Sequence, residues 1–261
     1  MKVSYISDLH LDFHVKCGSN EDKMFKKTRE FIEKLIKTDE GDKEVIVIAG
    51  DLSHYNKQSI AALEVFNEHY QLVLFVPGNH DYYLVSKTQS NKYFNDSTNR
   101  MGELFSRILW SKKLNKVVML DNDVQTYKGI TFYGSTMWYN LDTIEQQRFY
   151  TGISNDSILI KKMNHYDLHK EDVEEYQYTM DNIKPDVVVT HVPLIKVDAH
   201  IKHNNDCCYK CDVDVLAPIT ISGHVHEQKM YQVDDNKIYF NAIGYPDEKN
   251  NIVIKSFNLN K

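Results

Sequence analysis

Short apolar runs alternate with helix-like periodicity over the first half of the chain. The run at 3–6 reads as a strand, and 23–38 follows with Phe25, Thr28, Phe31, Ile32, Leu35 and Ile36 at helical spacing. The VIVIA run within 44–49 suits a strand buried on both faces. A helix over 58–69 places Ile60, Leu63 and Phe66 on one stripe, and strand-like 72–76 comes next. The pattern then predicts a helix over 101–110, strands at 117–120 and 130–133, and a polar helix over 167–183. The last third is mostly strand-like, at 187–190, 219–222, 229–233, 238–241 and 252–257. Strand–helix–strand order early and runs of strands late predict an α/β fold in which mixed sheets form a sandwich flanked by helices. No Pro/Ser-rich linker or internal repeat breaks the chain, so 1–261 reads as a single domain. The stretches at about 140–184 and 193–214 read as insertions over its framework.

Composition narrows the class. The 261 residues are ample for a sizeable core, and 42% hydrophobic with 26% charged residues is ordinary for a globular protein. A net charge of -6 does not favour non-specific attraction to nucleic acid or anionic membrane. No apolar stretch approaches the roughly 20 residues of a membrane span. Met1-Lys2 leads into a short strand and then charged residues, without the apolar run of a secretory signal. The four cysteines, Cys17, Cys207, Cys208 and Cys211, are too few and too clustered for a disulfide framework. A cytoplasmic protein is expected.

Five segments place metal-ligand residue types directly after strand-like runs: SDLH (7–10), GDLSH (50–54), GNHD (78–81), THVP (190–193) and GHVH (223–226). Strand C-termini open onto a crevice where ligands gather, so five loops distant in sequence can converge there. Asp8, His10, Asp51, Asn79, His191, His224 and His226 supply carboxylate oxygens, an amide oxygen and imidazole nitrogens. This mixed set suits Mn, Fe, Co, Ni or Zn better than Ca or Mg. Seven ligands exceed one such ion and suffice for two divalent ions that share a carboxylate. A pair of metals about 3.5–4 Å apart can clamp the attacking and leaving oxygens of an in-line displacement.

These blocks, in this order from Ser7 to His226, resemble those of the calcineurin-like metallophosphoesterase family: D-x-H, GD, GNH(D/E), a lone H after a strand, and G-H-x-H. The resemblance implies a four-layer α/β/β/α sandwich with the metal site at the C-terminal ends of the strands. One metal would take Asp8, His10 and His226, the other Asn79, His191 and His224, with Asp51 bridging. His80 would contact the phosphate or protonate the leaving group, and Asp81 would orient His80. Manganese is the favoured ion. Many members continue the second block as GDxxD or GDxxR; here the last position is His54, which is left without a role beyond candidate substrate contact.

The resemblance implies a phosphoesterase that hydrolyses phosphomonoesters or phosphodiesters by in-line attack of a metal-bridging hydroxide. Two divalent cations against Asp8 and Asp51 leave a positive surplus suited to a phosphate ester. The partner is then a phosphate-ester substrate, with nucleic acid entering only as substrate. Two other readings compete: a metal-dependent nuclease, which requires a basic or aromatic track beside the metals, and a non-catalytic protein-binding scaffold, in which loss of ligands is expected. Tyr82, Tyr83, Trp138 and Tyr139 are candidates to line a substrate cleft, although aromatic residues are also ordinary core filler. His200 and His203 lie in the polar loop after THVP. Cys207, Cys208 and Cys211 with His203 contain a C-x₂-C element, half of a structural zinc signature.

Overall fold

A computed structural model of the chain describes residues 1–18, 20–197 and 207–259. Its strands form two mixed sheets. The first has the order β11-β1-β2-β3-β4, built from β1 (Lys2–Ile6), β2 (Val45–Ala49), β3 (Leu72–Val76), β4 (Val117–Met119) and β11 (Lys255–Asn258). Strands β1 to β4 run parallel and β11 pairs antiparallel to β1. The second has the order β5-β6-β7-β8-β10-β9, from β5 (Asp123–Tyr127), β6 (Ile130–Ser135), β7 (Val187–Thr190), β8 (Ile219–Ser222), β9 (Met230–Val233) and β10 (Asn236–Phe240). Here β6, β7, β8 and β10 are parallel, with antiparallel strands at both edges.

The period-two alternation of side chains divides the core into layers. In β2, Val45, Val47 and Ala49 join Val187, Val189 and Ile221 in the core between the sheets, whereas Ile46 and Ile48 face the other way. Those outward residues meet Ile32 and Leu35 of α2 (Glu21–Ile36), Leu63 and Phe66 of α3 (Asn56–His69), and Leu104 and Ile108 of α5 (Ser97–Trp110). The short helices α1 (Leu11–His14) and α4 (Lys87–Lys92) lie in the loops of this half. On the far side of the second sheet, Tyr133, Val188 and Phe240 pack on Tyr176 and Met180 of α8 (His165–Asn182). The result is the expected α/β/β/α layering. The segment 140–184 carries α6 (Ile144–Ile153), α7 (Asn155–Leu159) and α8.

A parallel bridge between Ser7 and Ala242 ties the end of β1 to the end of β10. The C-terminal ends of the central strands of both sheets therefore open at one edge of the sandwich. Among the described residues, no helix is long and apolar enough to cross a membrane.

Candidate metal centre

All five motif loops leave strands at that edge. Asp8 follows β1, Asp51 follows β2, Asn79 follows β3, His191 follows β7, and His224 follows β8. Each chain must turn sharply there. Asp8 (φ 51°), His10 (φ 40°), Asp51 (φ 58°), His224 (φ 69°) and His226 (φ 50°) all occupy the left-handed region that L side chains rarely adopt. Gly50 (φ 87°) has no room for a side chain: a Cβ would lie 2.1 Å from His191 Nδ1. A Cβ on Gly78 would lie 2.2 Å from Asp51 Oδ1. Backbone bonds lace the loops together, from Asp8 N to Gly50 O (3.0 Å), His10 N to Asp51 O (2.9 Å) and Gly223 N to His191 O (3.0 Å).

Six of the seven expected ligands converge atom to atom, and the ring of the seventh, His224, lies with its centroid 5.1 Å from that of His191. His10 Nε2 and His226 Nε2 approach to 3.0 Å, and His226 Nε2 lies 3.6 Å from Asp8 Oδ1. His191 Nε2 lies 2.9 Å from Asn79 Oδ1. Asp51 Oδ2 stands between these sets, 3.6 Å from His10 Nε2 and 3.5 Å from His191 Nε2. Bonds of about 2.1 Å to an ion put neighbouring donors of a tetrahedral or octahedral shell about 3.0–3.5 Å apart. The observed spacings fit that requirement, and Asp8, His10 and His226 form one group while Asp8, Asp51 and His191 form another. The residues present therefore fit a metal centre.

The family model described as calcineurin-like phosphoesterase matches residues 1–228. The chain belongs to the calcineurin-like phosphoesterase family. It is 26% identical to the uncharacterized protein L509 of Acanthamoeba polyphaga mimivirus, over 95% of this chain and 93% of that one. Its fold is similar to that of the phosphopantetheinyl hydrolase PptH from Mycobacterium tuberculosis, with a TM-score of 0.66, 15% identity, and coverage of 98% of this chain and 95% of that one. Membership implies divalent metal ions and a phosphate-ester substrate.

A second ring of groups in this phosphoesterase aims the ligands. His191 Nδ1–H donates to Ala49 O (3.0 Å), which leaves the Nε2 lone pair free on the side of Asn79 and Asp51. His224 reverses the arrangement: its Nε2–H donates to Cys208 O (2.7 Å), leaving Nδ1. His226 Nδ1 is gripped by both oxygens of Glu248 at 2.9 and 2.8 Å. Asn79 Nδ2 donates to Asp156 (2.8 Å) in α7, which turns its amide oxygen toward His191. Asp156 also accepts the hydroxyls of Tyr83 and Tyr139. Tyr245 stacks on the His10 ring, with centroids 4.5 Å apart. Glu248, Asp156 and Tyr245 lie outside the five motifs.

Burial dominates the electrostatics. It holds His10 and His191 below the ordinary imidazole range and His224 at about 4, so all three stay neutral donors. For His226 burial acts in the same direction, but the Glu248 hydrogen bond and the charge of Asp8 overcome it and hold the ring above its usual value. Burial, reinforced by the charges of Asp8 and Asp81, pushes the Asp51 carboxyl well up.

Three expectations need correction. Asp81 does not reach the His80 ring. Its buried carboxylate accepts the backbone amides of Gly78 and Asp51 (both 2.9 Å) and of Leu52 (3.2 Å), pinning the GDLSH loop to the GNHD loop. Of the aromatic candidates, Tyr82, Trp138 and Tyr139 are buried beneath the site wall. Tyr82 packs edge-on against Trp138, and Tyr139 stacks on His165. Apolar area is worth more inside than on a wet wall, and these rings found partners there. A cavity of about 370 Å³ over the centre is lined instead by Tyr83, Phe149, Ile153, Tyr209 and Tyr245, together with Asp51, Asn79 and His80. His54 is buried against His80 and does not line it. Cys207 and Cys208 place their sulfurs 3.7 Å apart, and Cys211 lies 3.7 Å from His169 Nδ1. Among the described residues the cysteines form no metal-holding group. His200 and His203 lie outside the described residues.

Proposed function

We propose that the protein is a dinuclear metal phosphoesterase that hydrolyses phosphomonoesters or phosphodiesters by in-line displacement at phosphorus, with manganese the favoured ion. The observation that carries this reading is the place of Asp51, within 3.6 Å of His10 on one side and 3.5 Å of His191 on the other. Asp8, His10 and His226 would hold one ion, and Asn79, His191 and His224 the second, with Asp51 shared. Two bound divalent ions would supply an acidified water and the positive charge that a phosphoryl group needs. The chain's own residues do the rest. Asp51 is set by the His80 amide, which donates to Oδ1 at 2.9 Å. A ring nitrogen of His80 lies within 4.8 Å of donor atoms of His10 and Asp51, close enough to meet an ester oxygen held there. His80 returns a proton to the departing oxygen, a role worth typically 10²–10⁴-fold. Phe149, Ile153 and Tyr209 give the ester's organic part an apolar wall.

The test is hydrolysis of p-nitrophenyl phosphate and bis-p-nitrophenyl phosphate with Mn, Ni, Zn or Mg, comparing wild type with Asp51→Asn. Wild type should turn over at least one ester, and Asp51→Asn should lose about 10²-fold or more in kcat. Full activity in Asp51→Asn would refute the shared-ligand role, and no turnover with any ion would refute the enzyme.

A further inference from the structure

Behind His80 runs a line of hydrogen bonds to which the reaction above assigns no part. His80 Nδ1 lies 2.8 Å from His54 Nε2, and His54 Nδ1 lies 2.8 Å from Asp12 Oδ2. The planes of the two imidazoles differ by 11° with centroids 5.0 Å apart, so the rings meet edge to edge and the bond lies close to both planes. His54 stands where many members resembling this chain carry Asp or Arg in the second block. Asp12 is the residue two beyond His10, in α1.

The order of protons along the line follows from its end. A carboxylate oxygen only accepts, so His54 Nδ1 is the donor to Asp12. The lone pair of a neutral His54 is then on Nε2, and His80 Nδ1–H donates to it. That leaves His80 Nε2 as the atom facing the cavity. A proton taken up there creates an imidazolium whose other N–H is already bonded, through His54, to an anion. The same logic operates where a carboxylate holds a catalytic imidazole in one tautomer, here with one more ring interposed.

The frame around the line is rigid. Asp12 Oδ1 accepts the His54 amide at 3.1 Å. Buried Arg100 donates to the carbonyls of Ser53 (2.7 Å), His80 (3.1 Å) and Tyr83 (2.7 Å), clamping both loops. Gln89 Nε2 holds the His54 carbonyl at 2.6 Å, and the Tyr83 ring lies over His80.

We propose that Asp12 and His54 are positioning residues that fix the Nδ1-protonated tautomer and the ring orientation of His80, so that Nε2, protonated from solvent through the open cavity, gives that proton to the leaving oxygen as the ester P–O bond breaks and the ring returns to its neutral Nδ1–H form. This rests on the phosphoesterase reading. His54→Phe removes the hydrogen bond but keeps the bulk, and His54→Gln restores an acceptor oxygen near the Nε2 position. Circular dichroism and metal content serve as controls of folding and loading. An ester of a poor leaving group, phenyl phosphate, needs protonation more than p-nitrophenyl phosphate does. The kcat of His54→Phe should therefore fall about 10²-fold on the phenyl ester, and only a few-fold on the nitrophenyl ester, with KM little changed. His54→Gln should recover most of that loss. Equal losses on both esters, or no loss, would overturn the proposal. A second arm is independent of turnover: imidazole ¹⁵N spectra of the metal-free protein should show His80 as the Nδ1–H tautomer, changing to a mixture in His54→Phe. An unchanged His80 signal would overturn the proposal even for a protein that hydrolyses neither ester.

Discussion

His226 shows how one ligand is prepared. Its backbone sits at φ 50°, a conformation that costs on the order of 1–3 kcal/mol outside glycine. Its ring is then held by a two-point contact with Glu248, whose Oε2 also accepts the Tyr245 amide at 3.0 Å. One carboxylate thus aims His226 and seats the ring that covers His10. Glu248→Ala should weaken Mn binding about 10- to 100-fold, the usual effect of losing such an outer partner, and Glu248→Gln should weaken it less. Calorimetric titration of the metal-free protein reads this, and an affinity unmoved by Glu248→Ala would remove Glu248 from the site. The convergence of the seven candidate ligands on one edge was legible because each lies just past a strand whose apolar run announces its end. Glu248 and Asp156 were not, since a lone acid in a polar segment looks like any solvated surface residue, and only the chain's path in space brings it to an imidazole or an amide.

Elements were legible in proportion to what they bury. The strands β1, β2, β3, β7 and β8 emerged from Val/Ile runs, and α2, α3 and α5 from stripes that meet the first sheet. The edge strand β5, reading DVQTY, is half-exposed and carries no such run. Helix α6 has no fully buried residue: Ile144 and Ile153 are on the surface, and Phe149 and Tyr150 are only partly buried against the core, so its apolar signal is weak. The polar helix α8 was legible, but its reason for Asp172 was not. Buried Asp172 accepts Trp138 N at 2.8 Å and Asn122 Nδ2 at 2.7 Å, fixing the chain that leaves β6. Burial pushes its carboxyl up to about 7. The unfolded chain releases that proton near 3.8, so the contribution to stability is full below about 4 and is lost as pH climbs through 7. Asp172→Asn has no such term. Its stability relative to wild type should therefore rise by on the order of 2 kcal/mol between pH 5 and pH 8. Urea unfolding at both pH values measures it, and a difference equal at pH 5 and pH 8 would contradict the titration.

Across the whole molecule the site is a seam. Asp8, His10, Asp51 and Asn79 come from the first sheet, and His191, His224 and His226 from the second. Metal ions held by these residues would bind the two halves of the sandwich to each other and offset the crowding of Asp51 with Asp8 and Asp81. Binding to the folded state alone stabilises by RT ln(1 + [L]/Kd), about 2.7 kcal/mol at a hundredfold excess over Kd. For a chain of this length each kcal/mol moves Tm by roughly 2–4 °C. Saturating Mn should then raise Tm by about 5–10 °C, and a chelator should reverse it. Asp51→Asn separates seam from surface, because a shared ligand lost at the centre should abolish most of the shift, whereas ions adsorbed on the acidic exterior would stabilise the variant and wild type alike. A differential scan showing the same Mn-dependent shift in both proteins would place the ions elsewhere and detach the two sheets' ligands from any common task.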